Sequence, residues 1–317
     1  IGANLIFNTD VFCFGLPDYP YEKLPPGILH PKRILKGVRK GVEHGGNKLG
    51  IPTVNGAILF DERYVCNPLV FCGTGGIMPK KIAGRQSHKK QVNPGDLIVM
   101  VGGRIGKDGI HGATFSSTKL EEAIPPTVVQ IGAPIVQKKM MDVLQEARDR
   151  GLYDAITDNG AGGLSSSVGE MAQASGGCKV QLEKAPTKYP GLDPWELWVS
   201  ESQERMTLAV SPSKIDQFLE LCQSREVEAA VIGEFTDSGK IQVMYGDKTV
   251  AYLDINFVHK GLPRIMRIAR WKQPIHPEPD FEEPADFTPF LKRILSSLNV
   301  CSKEWVIRQY DHQDQVS

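Results

Sequence analysis

The sequence is defined first by what it lacks. Its 37 Lys+Arg residues are matched by 37 Asp+Glu, so there is no charge of one sign to attract a polyanion. No long basic run is present either, which excludes nucleic acid as the main partner. No apolar stretch approaches the ~20 residues that a bilayer span requires. The first residues show no charged-then-apolar leader, and a cytoplasmic protein without a membrane role is expected. Cysteine is present but unpatterned: Cys13, Cys66, Cys72, Cys178, Cys222 and Cys301 never fall in a C-x-x-C spacing. That spread fits reduced, mostly buried thiols better than a disulfide framework or a zinc site. Solenoid-type repeats and sustained heptads are absent as well.

What remains is an ordinary globular composition. Hydrophobic residues make up 41% and charged residues 23% of 317, enough apolar material for about two domains. The stretch "IGANLIFNTDVFCFG" starts the chain in strand-like sequence without an initiator Met, and "EWVIRQYDHQDQVS" ends it as abruptly. Both ends suggest a piece of a longer polypeptide.

Periodicity places the elements. In "PKRILKGVRKGVEHGG" (31–46), Ile34, Val38 and Val42 recur at four-residue spacing, which predicts a helix stopped by its Gly pair. "TVNGAILFD" and "NPLVFCGTGGIM" read as strands, and the polar run 79–96 as a domain boundary. From there β and α segments alternate. "DLIVMVGG" is a buried strand. Residues 133–151 form a helix with Ile135, Met140, Val143 and Leu144 as its apolar positions, and "YDAITD" is a strand ending at Asp158. A glycine-entered helix, the strand "CKVQLEK", and a short helix with Asp193 as N-cap and Pro194 at its first position follow. "SPSKIDQFLELCQSR" is a helix that Ser211 caps, and "KIQVMYGDKTVAYLDI" is a hairpin turning at "YGDK". After about residue 263 comes a proline- and acid-rich linker, then the short helix "FTPFLKRILSSL". Because hairpins and crossovers both occur, the class is α/β with a mixed sheet.

Four stretches carry candidate chemistry. In "GGRIGKDGIHGATFSST" (102–118) the glycines at 103, 106 and 109 are three apart, unlike a G-x-G-x-x-G turn, and the downstream acids Glu121 and Glu122 sit in polar loop sequence. Gly106-Lys107 is followed by Asp108, so the string is not a P-loop. Glycines after a buried strand still let backbone N–H groups approach an anion, with Arg104, Lys107, His111, Ser116 and Ser117 as added donors. The other reading is a sharp, purely structural loop. In "AITDNGAGGLSSS" (155–167), Asp158 at a strand end suits Mg²⁺, or else it is a turn residue. "SESQERM" (200–206) is a polar cluster before a strand, either a site or a helix end with an ion pair. Gln130 interrupts the apolar run "VVQIGAPI", and a buried amide there needs partners, either structural ones or a ligand.

Together these motifs resemble the phosphoribosylformylglycinamidine synthase family. "NTDVFCFG" and "GVRKGVEHGGNKLGIPTVNGAILFDERYVCNPLVFCG" are similar to its first domain, and "EWVIRQYDH" to the join with its second half. The wider superfamily includes aminoimidazole ribonucleotide synthetase, selenophosphate synthetase, thiamine monophosphate kinase and a hydrogenase maturation protein. The resemblance implies an aminoimidazole ribonucleotide synthetase-like fold. An incomplete N-terminal half-domain (1–82) would precede a complete mixed-sheet C-terminal one (83–262), and 263–317 would link to the next repeat. It also implies an ATP-dependent ligase of purine biosynthesis, using Mg²⁺ and ATP. Formylglycinamide ribonucleotide would be the substrate, and a glutaminase domain or subunit would supply ammonia.

Carried over by position, Asp158 matches a Mg²⁺ ligand, and Gln130, Glu201, Ser202 and Gln203 match substrate contacts. Gly103, Gly106, Gly109 and His111 match a glycine-rich loop associated with phosphate binding and tight packing. The family's upstream catalytic His motif and the nucleotide contacts of its second half are not found here, and no catalytic residue is assigned. Ala133 stands where many relatives carry Asp or Asn. The chain is therefore expected to be inactive alone and to self-associate through exposed apolar surface. The alternative is a non-catalytic nucleotide- and metal-binding assembly module.

Overall fold

The computed structural model describes residues 2–82, 84–112 and 129–308. Strand β1 (Asn4–Phe14) is central in a three-stranded sheet, parallel to β2 (Thr53–Phe60) and antiparallel to β3 (Leu69–Ile77). The parallel pair needs a crossover, and helix α1 (Pro31–Leu49) supplies it. Ile34, Val38 and Val42 pack as their spacing predicts, with Leu35, against Phe12, Phe14 and Phe60. The helix does not stop at Gly45–Gly46, however. It runs one further turn to Leu49, where the N–H of Ile51 reaches Gly46 O at 3.1 Å and that of Gly50 reaches Asn47 O at 3.3 Å. These hydrogen bonds satisfy the last carbonyls, which a glycine pair inside the helix cannot do. A small hairpin of β4 (Lys81–Ile82) and β5 (Arg85–Gln86) follows.

Among the described residues, the second sheet has seven strands. They are β6 (Leu97–Gly102), β7 (Ala155–Asp158), β8 (Cys178–Gln181), β9 (Arg205–Val210), β10 (Ala229–Phe235), β11 (Lys240–Tyr245) and β12 (Lys248–Asp254). Their order is β12-β11-β8-β10-β6-β9-β7, and only β11 and β8 pair in parallel. The unbroken apolar run of β6 is explained by burial on both faces. Ile98 and Met100 enter one core with Leu164, Val168 and Met171 of α3 (Gly163–Ser175). Val99 and Val101 enter the other with Met140, Val143 and Leu144 of α2 (Pro134–Asp149) and Phe218 of α5 (Ile215–Ser224). A strand alternates its side chains, so such a sandwich requires apolar residues at every position.

Two local expectations are corrected. Ile135, expected on the apolar face of α2, is 64% exposed. Ser211 does not cap α5: a 3-10 turn, Pro212–Lys214, intervenes, and the Ser211 hydroxyl meets Ser213 Oγ at 3.0 Å. The expected cap at Asp193 of α4 (Pro194–Val199) is reinforced by Glu196, which accepts from Asp193 N at 2.9 Å. Helix α6 (Ile255–Lys260) follows β12, and residues 263–284 carry no regular secondary structure. Beyond α7 (Thr288–Ser296), the Asn299 side chain brackets Phe60. It accepts from the Phe60 N–H at 2.7 Å and donates to its carbonyl at 3.1 Å, returning the tail to the first sheet. Among the described residues, no helix is long and apolar enough to cross a membrane.

Phe218 is fully enclosed between α5, α2 and the sheet. Phe218→Ala is expected to cost about 3–5 kcal/mol in urea unfolding. A loss under ~1 kcal/mol would mean that this face is not close-packed.

Candidate functional site

Topology alone brings the candidate motifs together. β6 and β7 both run antiparallel to β9, so their C-terminal ends and the N-terminal end of β9 share one edge of the sheet. The glycine loop leaves β6 there, the "DNGAGG" loop leaves β7, and "SESQE" leads into β9 at Arg205.

Glu201 is the meeting point. It is 3% exposed. One carboxylate oxygen accepts from Gln130 Nε2 at 3.1 Å, and the other from the Gly162 N–H at 3.2 Å. A buried carboxylate requires such donors, because an unpaired charge in that position would be costly. Gly109, at φ +78°, lies against both residues: a Cβ there would come within 2.7 Å of Gln130 Cγ and 3.0 Å of Glu201 Cβ. Only glycine meets the backbone angle and the close approach together. Gln203 folds back so that Nε2 donates to Glu201 O at 2.7 Å. Gln130 itself is exposed, which corrects the expected buried amide. Its neighbours Val129 and Ile131 are more than 60% exposed, so the apolar run there does not mark a core.

Ser202 is fully enclosed and serves the loop. Its hydroxyl donates to Asp108 Oδ1 at 2.8 Å and accepts from the Gly106 N–H at 3.0 Å, while Ser200 Oγ donates to Gly106 O at 2.7 Å. Lys188 closes the arrangement with both Asp108 oxygens, at 2.8 and 2.9 Å. Burial pushes the Asp108 carboxyl up, but the Lys188 ammonium and the Ser202 hydroxyl outweigh it and hold it below its ordinary value. Beneath lies Arg205, 3% exposed, donating to Ser202 O at 2.7 Å and Ser200 O at 2.6 Å. Burial lowers its guanidinium to about 10.

The loop's amides are mostly committed inward. Gly103 N donates to Glu204 O, Ile105 N to Pro186 O, Gly106 N to Ser202 Oγ and Lys107 N to the Tyr189 hydroxyl. Gly103 and Gly106 therefore pack the loop, and their N–H groups do not form an anion cradle. Arg104 pairs with Glu228 at 2.8 Å and Lys107 with Glu196 at 3.0 Å, so neither charge faces the site uncommitted. His111 is exposed at φ 61°, in a strained turn. Ser116, Ser117, Glu121 and Glu122 lie outside the described residues.

Asp158 is exposed at the end of β7, and Oδ1 accepts from the Gly160 N–H at 2.9 Å. It shapes the turn and also faces solvent. No group of three or more His, Cys, Asp or Glu side chains fit to hold a metal occurs among the described residues. One exposed carboxylate fits Mg²⁺ as part of a donor set completed by phosphate oxygens and water, the usual mode for that ion. Ala133 offers no polar side chain, and its N–H donates to Glu204 Oε1 at 2.9 Å. Sequence reading missed Lys188, Arg205 and the buried Asn159–Ser167–Thr207 hydrogen-bond cluster beside Asp158. Lys188 has no local signal, since its partner lies 80 positions away. Arg205 was visible only as part of "SESQERM".

Ser202→Ala is expected to destabilise the chain by about 1–3 kcal/mol, since Asp108 and Gly106 N each lose a buried partner. Asp108 has a lowered folded pKa, so its contribution is complete above its ordinary value of 3.8 and is lost as pH falls below it. Unfolding midpoints between pH 5 and 2.5 should therefore fall less steeply in Asp108→Asn than in the parent. An identical acid slope would remove Asp108 from the lock.

Residues 93–246 match the family "AIR synthase related protein, C-terminal domain". The chain is 37% identical over 289 residues to the phosphoribosylformylglycinamidine synthase subunit PurL of Thermoplasma acidophilum, covering 90% of this chain and 38% of that protein. It is 38% identical over 330 residues to the Methanopyrus kandleri subunit, covering 96% and 43%. Thermotoga maritima PurL complexed with FGAR superposes with a TM-score of 0.74 at 28% identity, over 89% of this chain and 43% of that one. The same protein complexed with ATP gives 0.70 at 26% identity, over 98% and 44%. Residues 93–246 thus match the AIR synthase-related family, and the chain as a whole is similar to the PurL subunits of phosphoribosylformylglycinamidine synthase, of whose length it spans about two fifths.

Proposed function

We propose that this chain is the part of a phosphoribosylformylglycinamidine synthase that holds formylglycinamide ribonucleotide for conversion to the amidine. The observation that supports this most directly is the Glu201 carboxylate, which ties Gln130 and the "DNGAGG" loop into one site. Gln130 and Gln203 both turn their amide nitrogens inward, onto Glu201. Each side-chain oxygen is then the acceptor left for a substrate N–H or hydroxyl. Glu201 orients the first, and its own carbonyl orients the second. Ser202 acts at one remove, by fixing the glycine loop against which Glu201 packs.

An amide oxygen is a poor leaving group, so the reaction requires its activation before ammonia can displace it. When bound, ATP would supply the phosphoryl group and Mg²⁺ would offset the phosphate charge. We assign Asp158, the exposed carboxylate at the end of β7, as a ligand for that ion. Ammonia would come from a glutaminase domain or subunit, and the setting is cytoplasmic. The site would be completed by the rest of the relatives' length, so the chain alone is inactive. Its first sheet leaves Val54 62%, Phe71 52% and Ile77 61% exposed, a face suited to self-association of the isolated chain.

Calorimetric titration of formylglycinamide ribonucleotide with Mg²⁺ present is expected to show binding, weakened about tenfold, or ~1.4 kcal/mol, by Gln130→Ala. Binding to the variant with unchanged affinity would remove Gln130 from the site. Asp158→Asn should abolish the Mg²⁺ dependence of that binding, whereas an unchanged dependence would make Asp158 a turn residue only. Turnover of substrate, ATP and ammonia by the purified chain would overturn the incomplete-site reading.

A further inference from the structure

A second charged concavity lies at the opposite end of β7. The segment after the β4–β5 hairpin crosses the start of that strand and encloses a cavity of about 190 Å³, well above the ~10–15 Å³ that one water requires. Lys89, Lys90, Arg148 and Lys214 line it together with the carboxylate of Asp154, and Asp96, which acts on both Asp154 and Lys214, lies close by. Lys214 reaches Asp154 only at 3.3 Å. Arg148, 6% exposed, is fixed by Asn4 Oδ1 at 3.0 Å and Asp149 at 2.8 Å, so its charge is held in place. Lys90 is braced on Thr157 Oγ1 at 2.6 Å. Tyr153 also lines it, and its buried hydroxyl has no hydrogen-bond partner among the described residues. Burial raises that phenol to about 12, so it stays protonated and able to donate.

Cations gathered in a low-dielectric concavity repel one another, and the field they focus there favours an anion. An unsatisfied buried hydroxyl carries its own penalty until an acceptor arrives. We propose that this cavity binds a phosphate group, with Lys89, Lys90 and the Tyr153 hydroxyl as donors and Arg148 and Lys214 as fixed positive charge. The site is separate from the Glu201 cluster, since the cavity is lined from Tyr153 to Ile156 at the start of the strand that ends at Asp158. It does not depend on the proposed synthase activity. The phosphate belongs either to the free ion or to a nucleotide, and the cavity chemistry is the same for both.

The test is calorimetric titration of inorganic phosphate into the 317-residue chain, with ADP in a parallel arm. Saturable phosphate binding is expected, weakened at least tenfold in Lys89→Gln/Lys90→Gln and unaffected by Asp158→Asn. ADP that displaces phosphate identifies a nucleotide site, and ADP that does not identifies a site for the free ion. Tyr153→Phe guards against misfolding of the lysine variant. It should weaken phosphate binding several-fold while leaving the urea midpoint equal or higher, because the orphaned hydroxyl is gone. Absence of saturable phosphate binding, or equal affinity in parent, lysine variant and Tyr153→Phe, overturns the proposal.

Discussion

Arg205 enters β9 with its guanidinium almost wholly out of water, and its two short bonds are to the carbonyls of Ser200 and Ser202, beside a longer one to Met100 Sδ. Neutral carbonyls compensate a buried cation only partly, which is why its proton is held less tightly than in solution. What this arrangement secures is the shape of the turn above. With both carbonyls drawn down onto the guanidinium, the hydroxyls of Ser200 and Ser202 are left to meet Gly106, and the Glu201 side chain projects to Gln130 and Gly162. The glycine loop, the "DNGAGG" turn and the Gln130 segment are each positioned from that turn.

The site is therefore assembled from fixed acceptors and amides more than from a charged cradle. The lysine and arginine of the glycine loop are spent on Glu196 and Glu228, and several of its N–H groups are spent on the protein itself. Charge is instead concentrated at the far end of β7, where four cations share one cavity. The two ends of a single short strand thus carry opposite tendencies. An exposed carboxylate ends one, and a surplus of positive charge surrounds the other.

The helices and strands were legible because their signals are local. The four-residue spacing in α1, the uninterrupted apolar run of β6 and the "YGDK" turn each correspond to an element that formed where it was expected. The failures were also local signals, overruled by neighbours. Gly45–Gly46 resembled a stop, but the cap lies at Gly50, where the orphaned carbonyls find donors. Gln130 resembled a buried amide because Val129 and Ile131 flank it, yet all three lie at the surface.

The sequence by itself determined the α/β class, the mixed sheet and the identity of the motifs, because periodicity and turn chemistry act over a few residues. It also narrowed the site to a handful of side chains, including Glu201 and Asp158. Only the tertiary structure decided what each one touches. Ser202 became a lock because Asp108 and Gly106, more than ninety positions away, arrive at its hydroxyl. Lys188 and Arg205 acquired their roles only once the strands were paired. Partnership between buried polar groups is settled by strand order and packing, and neither is written in the neighbourhood of any one residue.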